Sequence, residues 1–130
     1  MRETFSKEER LCRQTLIQQL FTSGASLSIP PLKARWLHLT LPTTFPVQLL
    51  IAVPKTSFHD ASGRNLVRRR IRESYRRHKT ILYESLSRSE KQMALAVTFS
   101  GREILPYSTI EEKIILLLQR LKEENEKAVG

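Results

Sequence analysis

The stretch GRNLVRRRIRESYRRHK, residues 63–79, sets eight Arg or Lys beside a single acid over the length of one helix. Such a run folds stably only if it has two faces, one buried and one turned toward something negative. At about 100° per residue, Arg64, Asn65, Arg68, Arg69, Arg72, Arg76 and Lys79 fall within an arc of roughly 140°. Val67, Ile71, His78, Ile81 and Leu82 occupy a different arc, suited to packing on a sheet. Arg70, Glu73 and Arg77 lie away from the basic stripe. Arg64, Arg68, Arg72 and Arg76 form an unbroken i,i+4 series of like charges, each pair costing roughly 0.2–0.5 kcal/mol. A face kept only for solubility would intersperse acids, yet Glu73 is expected to point elsewhere. The planar fork of Arg suits bidentate contact with phosphate, so the stripe is expected to bind a polyanion. Asn65 has two readings: a local cap near the helix start, or a polar reader of a base edge or 2′-hydroxyl.

The rest of the chain supports this charge reading. Across 130 residues, 22 Lys and Arg outweigh 13 Asp and Glu, for a net +9. An excess of this sign concentrates anionic partners, nucleic acid first. One cysteine, Cys12, permits no internal disulfide and has no companions at metal-ligand spacing. With no apolar run suited to a signal peptide or a membrane span, a reduced, cytoplasmic setting without membrane contact is expected. The length predicts one domain over 1–130, with 1–5 and 127–130 flexible, and the charge makes it a nucleic-acid-binding one.

Hydrophobic spacing places the other elements. A first helix begins either at Ser6, with Glu9 completing a capping box, or near Arg13 or Thr15, and Gly24 stops it. SIPP at 28–31 reads as a break. Strands are predicted over 32–41, 47–54 and 92–101, the second apolar enough to be covered on both faces. The basic helix is predicted over 62–86, entered through Asp60 or Ser62. A last helix, 108–126, buries Ile110, Ile114, Leu117, Leu118 and Leu121 behind a Ser108–Glu111 capping box. The order α-β-β-α-β-α around a small mixed sheet is an α+β fold, an α/β sandwich. The strand 32–41 has unfixed register, so Trp36 or its neighbours Leu37 and His38 face outward. No nucleophile elbow or metal-ligating cluster marks protein-side catalysis, and His38, His59 and His78 are scattered.

The basic segment resembles the signature RNxxKRxxRE of the bacterial ribonuclease P protein component. Arg64, Asn65, Arg69, Arg72 and Glu73 match it, Arg68 stands where lysine is usual, and Leu66 replaces an arginine. RLCRQTLIQQLFTSG is similar to the family's first helix, RLxxxxxFxxVFxxG, through Arg10, Leu11, Phe21 and Gly24, with Ile17 at the first phenylalanine position. LLIAVPK resembles a strand ending in Val-Ser-Lys, with Pro54 for serine and Lys55 kept. The resemblance implies the accessory protein subunit of an endonuclease that removes the 5′ leader of precursor tRNA. It implies that the RNA subunit does the chemistry and holds Mg²⁺, and that a left-handed β-α-β crossover carries the basic helix. Arg64, Arg68, Arg69 and Arg72 would meet the phosphates of the ribonuclease P RNA, with Asn65 as a polar reader. Arg76 and Lys79 extend the stripe by geometry alone. Phe21, Ile17, Trp36 and Lys55, with His38 beside them, would line a shallow cleft for the leader, Phe21 stacking on a base. No protein partner is expected. A ribosomal or assembly protein of related fold is the alternative, separable by which RNA copurifies. Five phosphate contacts predict a salt slope of roughly −3.5 to −4.5 in log K.

Overall fold

A computed structural model describes residues 5–129. A short 3₁₀ turn, Lys7–Glu9, precedes helix α1 (Gln14–Ser23). Strands β1 (Ala25–Ile29), β2 (Leu32–His38) and β3 (Val47–Ala52) follow. Helices α2 (Ala61–His78) and α3 (Thr80–Arg88) then lead to β4 (Met93–Phe99) and α4 (Tyr107–Val129). The sheet order is β1-β2-β4-β3, antiparallel except for the parallel β3–β4 pair that α2 and α3 connect. The expected mixed sheet and α+β class are therefore present.

The alternation of each strand divides the core. Leu32, Ala34 and Trp36 of β2, with Leu95 and Val97 of β4, face Val67 and Ile71 of α2 and the apolar stripe of α4. That stripe, Ile110, Ile114, Leu117, Leu118 and Leu121, is buried as its spacing predicts. Each such side chain contributes about 1.5–3 kcal/mol. The opposite sheet face carries Ala94 and Ala96, small enough for α1 to lie close through Leu20, with Leu16 and Ile17 half-buried beside it.

Several expectations need correction. Strand β1 lies partly in the predicted break: only Ile29 of ASLSI is buried, so the sequence lacks the apolar alternation that announces a strand. Pro30–Pro31, a cis peptide, turns β1 into β2. The basic helix ends at His78 and a new helix starts at Thr80, although Lys79 keeps helical angles (φ −60°, ψ −23°). The Ser6–Glu9 capping box forms, but on the 3₁₀ turn; α1 begins at Gln14, as the alternative start near Arg13 or Thr15 had it. Glu111 does not cap with Ser108 but receives a hydrogen bond from Tyr107 and lies 2.9 Å from His78 Nε2. Phe5, expected to be flexible, stands edge-on to Tyr75 with centroids 5.9 Å apart, and α4 continues to Val129. Residues 1–4 and 130 of the expected flexible ends lie outside the described residues.

Gly24 stops α1 for a reason other than a left-handed turn. Its φ is −73°, but a Cβ there would lie 2.4 Å from the carbonyl oxygen of Leu20 and 2.9 Å from that of Trp36. The backbones of α1 and β2 approach too closely for a side chain.

Lys79 is not part of a cationic surface. It is 2% exposed, and its Nζ lies 2.5 Å from Oε1 of Glu9, which is wholly buried. The Tyr83 hydroxyl donates to the same oxygen at 2.8 Å, and Tyr75 donates to Tyr83 at 3.2 Å. The Ser6 amide donates to Oε2 at 2.7 Å. Burial pushes the Glu9 pKa up, but bonds from Lys79, Ser6 and Tyr83 outweigh it and leave the carboxyl below its usual range. Burial pushes the Tyr83 and Tyr75 hydroxyls up, so they remain protonated donors. Glu9, expected only to complete a capping box, is also the buried anchor of the N-terminal segment. The next residues, Arg10 and Leu11, lie along the edge of β3, with the Leu11 amide 2.9 Å from the Leu49 oxygen.

Candidate nucleic-acid interface

Helix α2 presents its cations in two groups, sorted by what their side chains reach. Arg64 Nη1 donates to the Phe58 and His59 carbonyls, each at 2.9 Å, and so closes the loop that enters the helix. Arg70 donates to the Leu105 carbonyl. Arg77 lies 3.6 Å from a Glu111 oxygen. Arg76 is held by Glu73 at 2.5 Å, so Glu73 does not point away from the stripe as expected: it takes the i+3 partner within reach. These contacts tie Arg64 and Arg76 of the predicted stripe, and Arg70 and Arg77 outside it, to the protein itself.

Arg68, Arg69 and Arg72 remain without a carboxylate partner among the described residues. Arg68 Nη1 donates to Oδ1 of the exposed Asn65 at 2.8 Å. Asn65 is therefore not a cap; Asp60 occupies that position and Asn65 lies one turn inside the helix. Burial, then the charges of Arg10 and Arg68, lower the Arg72 pKa from its usual value. Three guanidinium groups thus crowd together, in a groove that Phe5, Arg10, Cys12, Leu50, Arg68 and Arg72 line. Like charges so placed are relieved by an anion. Arg10 entered the sequence reading only as a matching position; its place beside Arg72 depends on the buried Glu9 one residue earlier.

The predicted cleft is rearranged too. Helix α1 covers only part of its sheet face, around Ala94, Ala96 and Leu37. Beyond it, the register sets Ser28, Lys33, Thr98 and Ala52 side by side across four strands. All four are exposed or half-buried, making a strip of small side chains with one cation. Phe21, in the last turn of α1, has 46% of its surface exposed, and the exposed Lys55 follows β3. Ile17 of α1 is half-buried and packs against the cluster that holds Ala94 and Ala96. Trp36 is 9% exposed and faces the opposite, α2–α4 side, so it does not floor the cleft. His38 shares that face, with Nε2 3.0 Å from Asn125 Oδ1. Burial, outweighing that bond, lowers its pKa with help from Lys91, so His38 is neutral at pH 7. Lys33 and Arg35, which alternate along β2 with Leu32, Ala34 and Trp36, face the strip instead. The alternation over LKARW carried that signal, since charges at 33 and 35 send 32, 34 and 36 inward.

Among the described residues, no group of three His, Cys, Asp or Glu side chains could hold a metal ion, and no helix is long and apolar enough to cross a membrane.

A family model described as Ribonuclease P matches residues 5–122. The chain belongs to the ribonuclease P protein family. The ribonuclease P protein component of Petrotoga mobilis is 28% identical over 123 residues, covering 92% of this chain and 97% of the relative. That of Porphyromonas gingivalis is 28% identical over 116 residues, covering 89% and 85%. Among solved structures, the Staphylococcus aureus RNase P protein superposes with TM-score 0.70 at 18% identity, over 88% of this chain and 95% of that one. The Thermotoga maritima RNase P protein gives 0.67 at 24% identity, over 86% and 96%. These structures establish the shared fold. As a ribonuclease P protein, the chain is a subunit of a tRNA-processing ribonucleoprotein endonuclease and associates with ribonuclease P RNA.

Proposed function

We propose that the chain meets the ribonuclease P RNA through Arg68, Arg69, Arg72 and Asn65 on α2, with Arg10 beside them, and guides the 5′ leader of precursor tRNA along the strip beside α1. The observation that carries the first part is the crowding of Arg10, Arg68 and Arg72 with no acid against them. Arg64 and Arg76 contribute less, because the protein itself engages their guanidinium groups. Along the strip, Lys33 and Lys55 supply charge and Phe21 a stacking surface, while small side chains leave room for an extended strand. The Mg²⁺ ions belong to the RNA in this reading, and the assembly works in the cytoplasm.

Reconstitution tests this assignment. With a bacterial ribonuclease P RNA and precursor tRNA, adding the chain at low Mg²⁺ should restore 5′ cleavage that the RNA alone performs poorly. Leaders of several nucleotides should be bound more tightly than a single-nucleotide leader. Absence of both RNA binding and stimulation would overturn it, and copurification with ribosomal particles would favour an assembly protein.

A further inference from the structure

The groove that holds Arg10, Arg68 and Arg72 is not lined by cations alone. Phe5, Leu50 and Ile51 line it too, and all three are half-buried. Strand β3 lies at the edge of the sheet, with β4 as its partner. The N-terminal segment meets its outer side at Leu49, through the Arg10–Leu49 bridge, and the bridge does not continue to Leu50 or Ile51. Leu50 packs toward the α1 side of the sheet and Ile51 toward the α2 side, so the groove straddles the sheet edge. Phe5 is fixed by its neighbours: Tyr75 meets it edge-on at 5.9 Å, and the Arg10 guanidinium carbon lies 5.8 Å from its centroid. Among the described residues no carboxylate pairs with Arg10, Arg68 or Arg72.

The groove holds about 180 Å³, below the roughly 300–1,000 Å³ of a site for a drug-sized ligand. A stacked RNA helix keeps its bases inside and offers mainly phosphate and sugar. Laid against this groove, it would neutralise the guanidinium groups and leave Phe5, Leu50 and Ile51 facing water. An unpaired nucleotide satisfies both halves, its base covering the apolar side chains while its phosphate lies among the cations. We propose that the groove takes one extruded nucleotide of the ribonuclease P RNA, its base against Phe5, Leu50 and Ile51 and its phosphate on Arg10 and Arg72. This deepens, and rests on, the assignment of the α2 face to that RNA. The apolar floor lowers the local dielectric, so a phosphate is held more strongly there than on an open helix face.

Cys12, exposed at the rim and the single cysteine of the chain, offers a place for a photoactivatable crosslinker. Irradiating the full chain assembled with a bacterial ribonuclease P RNA should label an unpaired nucleotide. RNA with that one base removed and its phosphate kept should bind the parent chain about five- to tenfold more weakly, within the range of one base–aromatic stack. The salt slope should not change, because no phosphate contact is lost. Phe5→Leu keeps an apolar side chain against Tyr75; it should weaken assembly with intact RNA by about fivefold and cost nothing further on the abasic RNA. Thermal melting checks the fold of this variant, and if it does not fold, the parent chain with abasic RNA decides alone. A crosslink confined to paired nucleotides, a loss below about twofold on removing the base, or equal losses from Phe5→Leu on both RNAs would overturn the extruded nucleotide. With any of these, the wider interface stands if Arg72→Ala still weakens assembly and makes the salt slope shallower. If Arg72→Ala does neither, the assignment of α2 to the RNA falls with it.

Discussion

Lys79→Met should lower the free energy of unfolding by about 3–5 kcal/mol, because it strands the buried Glu9 carboxylate without its cation. Urea titration at neutral pH measures the loss. Its pH dependence identifies the cause. In the parent chain the folded Glu9 pKa is depressed. Its contribution is therefore full above the carboxyl's unfolded value and lost as pH falls through the folded one. In Lys79→Met the stranded group is relieved by protonation, so the deficit between the two proteins should narrow toward acid pH. Replacing both partners, Glu9→Leu with Lys79→Met, should recover most of the loss. A deficit below about 1 kcal/mol, the value of an exposed pair, and flat with pH would contradict the burial of the pair.

The largest effect on RNA binding is expected at Arg72. Arg72→Ala should weaken assembly with ribonuclease P RNA by about 10- to 100-fold, the range of a lost charge-assisted hydrogen bond. It should also make the slope of log K against log salt shallower by about 0.7–0.9. Arg68→Ala should act similarly, with an added loss of Asn65's orientation. Arg77→Ala is the internal control: its guanidinium lies against Glu111 and Tyr107, so the slope should stay put. Three contacts rather than five imply a total slope of roughly −2 to −3 for α2 alone. Equal effects at Arg72 and Arg77 would mean that net charge, not the groove, governs assembly.

The helical wheel of residues 63–79 separated the buried Val67 and Ile71 from Arg68, Arg69 and Arg72 because both sets follow from a single angle, but it misplaced the buried Lys79. Which cations stay available did not follow from it. That depends on the carbonyls of Phe58, His59 and Leu105 and on the rotamer of Glu73, none of which a wheel represents. The Glu9–Lys79 pair joins residues 70 apart, so no local pattern announced it; the acid looked like a helix-start charge and the lysine like part of the stripe. Strand β1 escaped because an edge strand of Ser and Ala buries little. Trp36 was different. The five residues LKARW already fixed its direction, and the longer window 32–41 blurred an alternation that ends at His38. Phe21 and Lys55 stand at the cleft.

The sheet order β1-β2-β4-β3 has a consequence for how the chain is made. The strand that unites the sheet, β4, is the last of the four to leave the ribosome. Until residues 93–99 emerge, β2 and β3 have no strand between them, and the nascent chain carries unpaired edges open to other chains. A product terminated before Met93 would therefore be a sticky fragment rather than a smaller version of the fold.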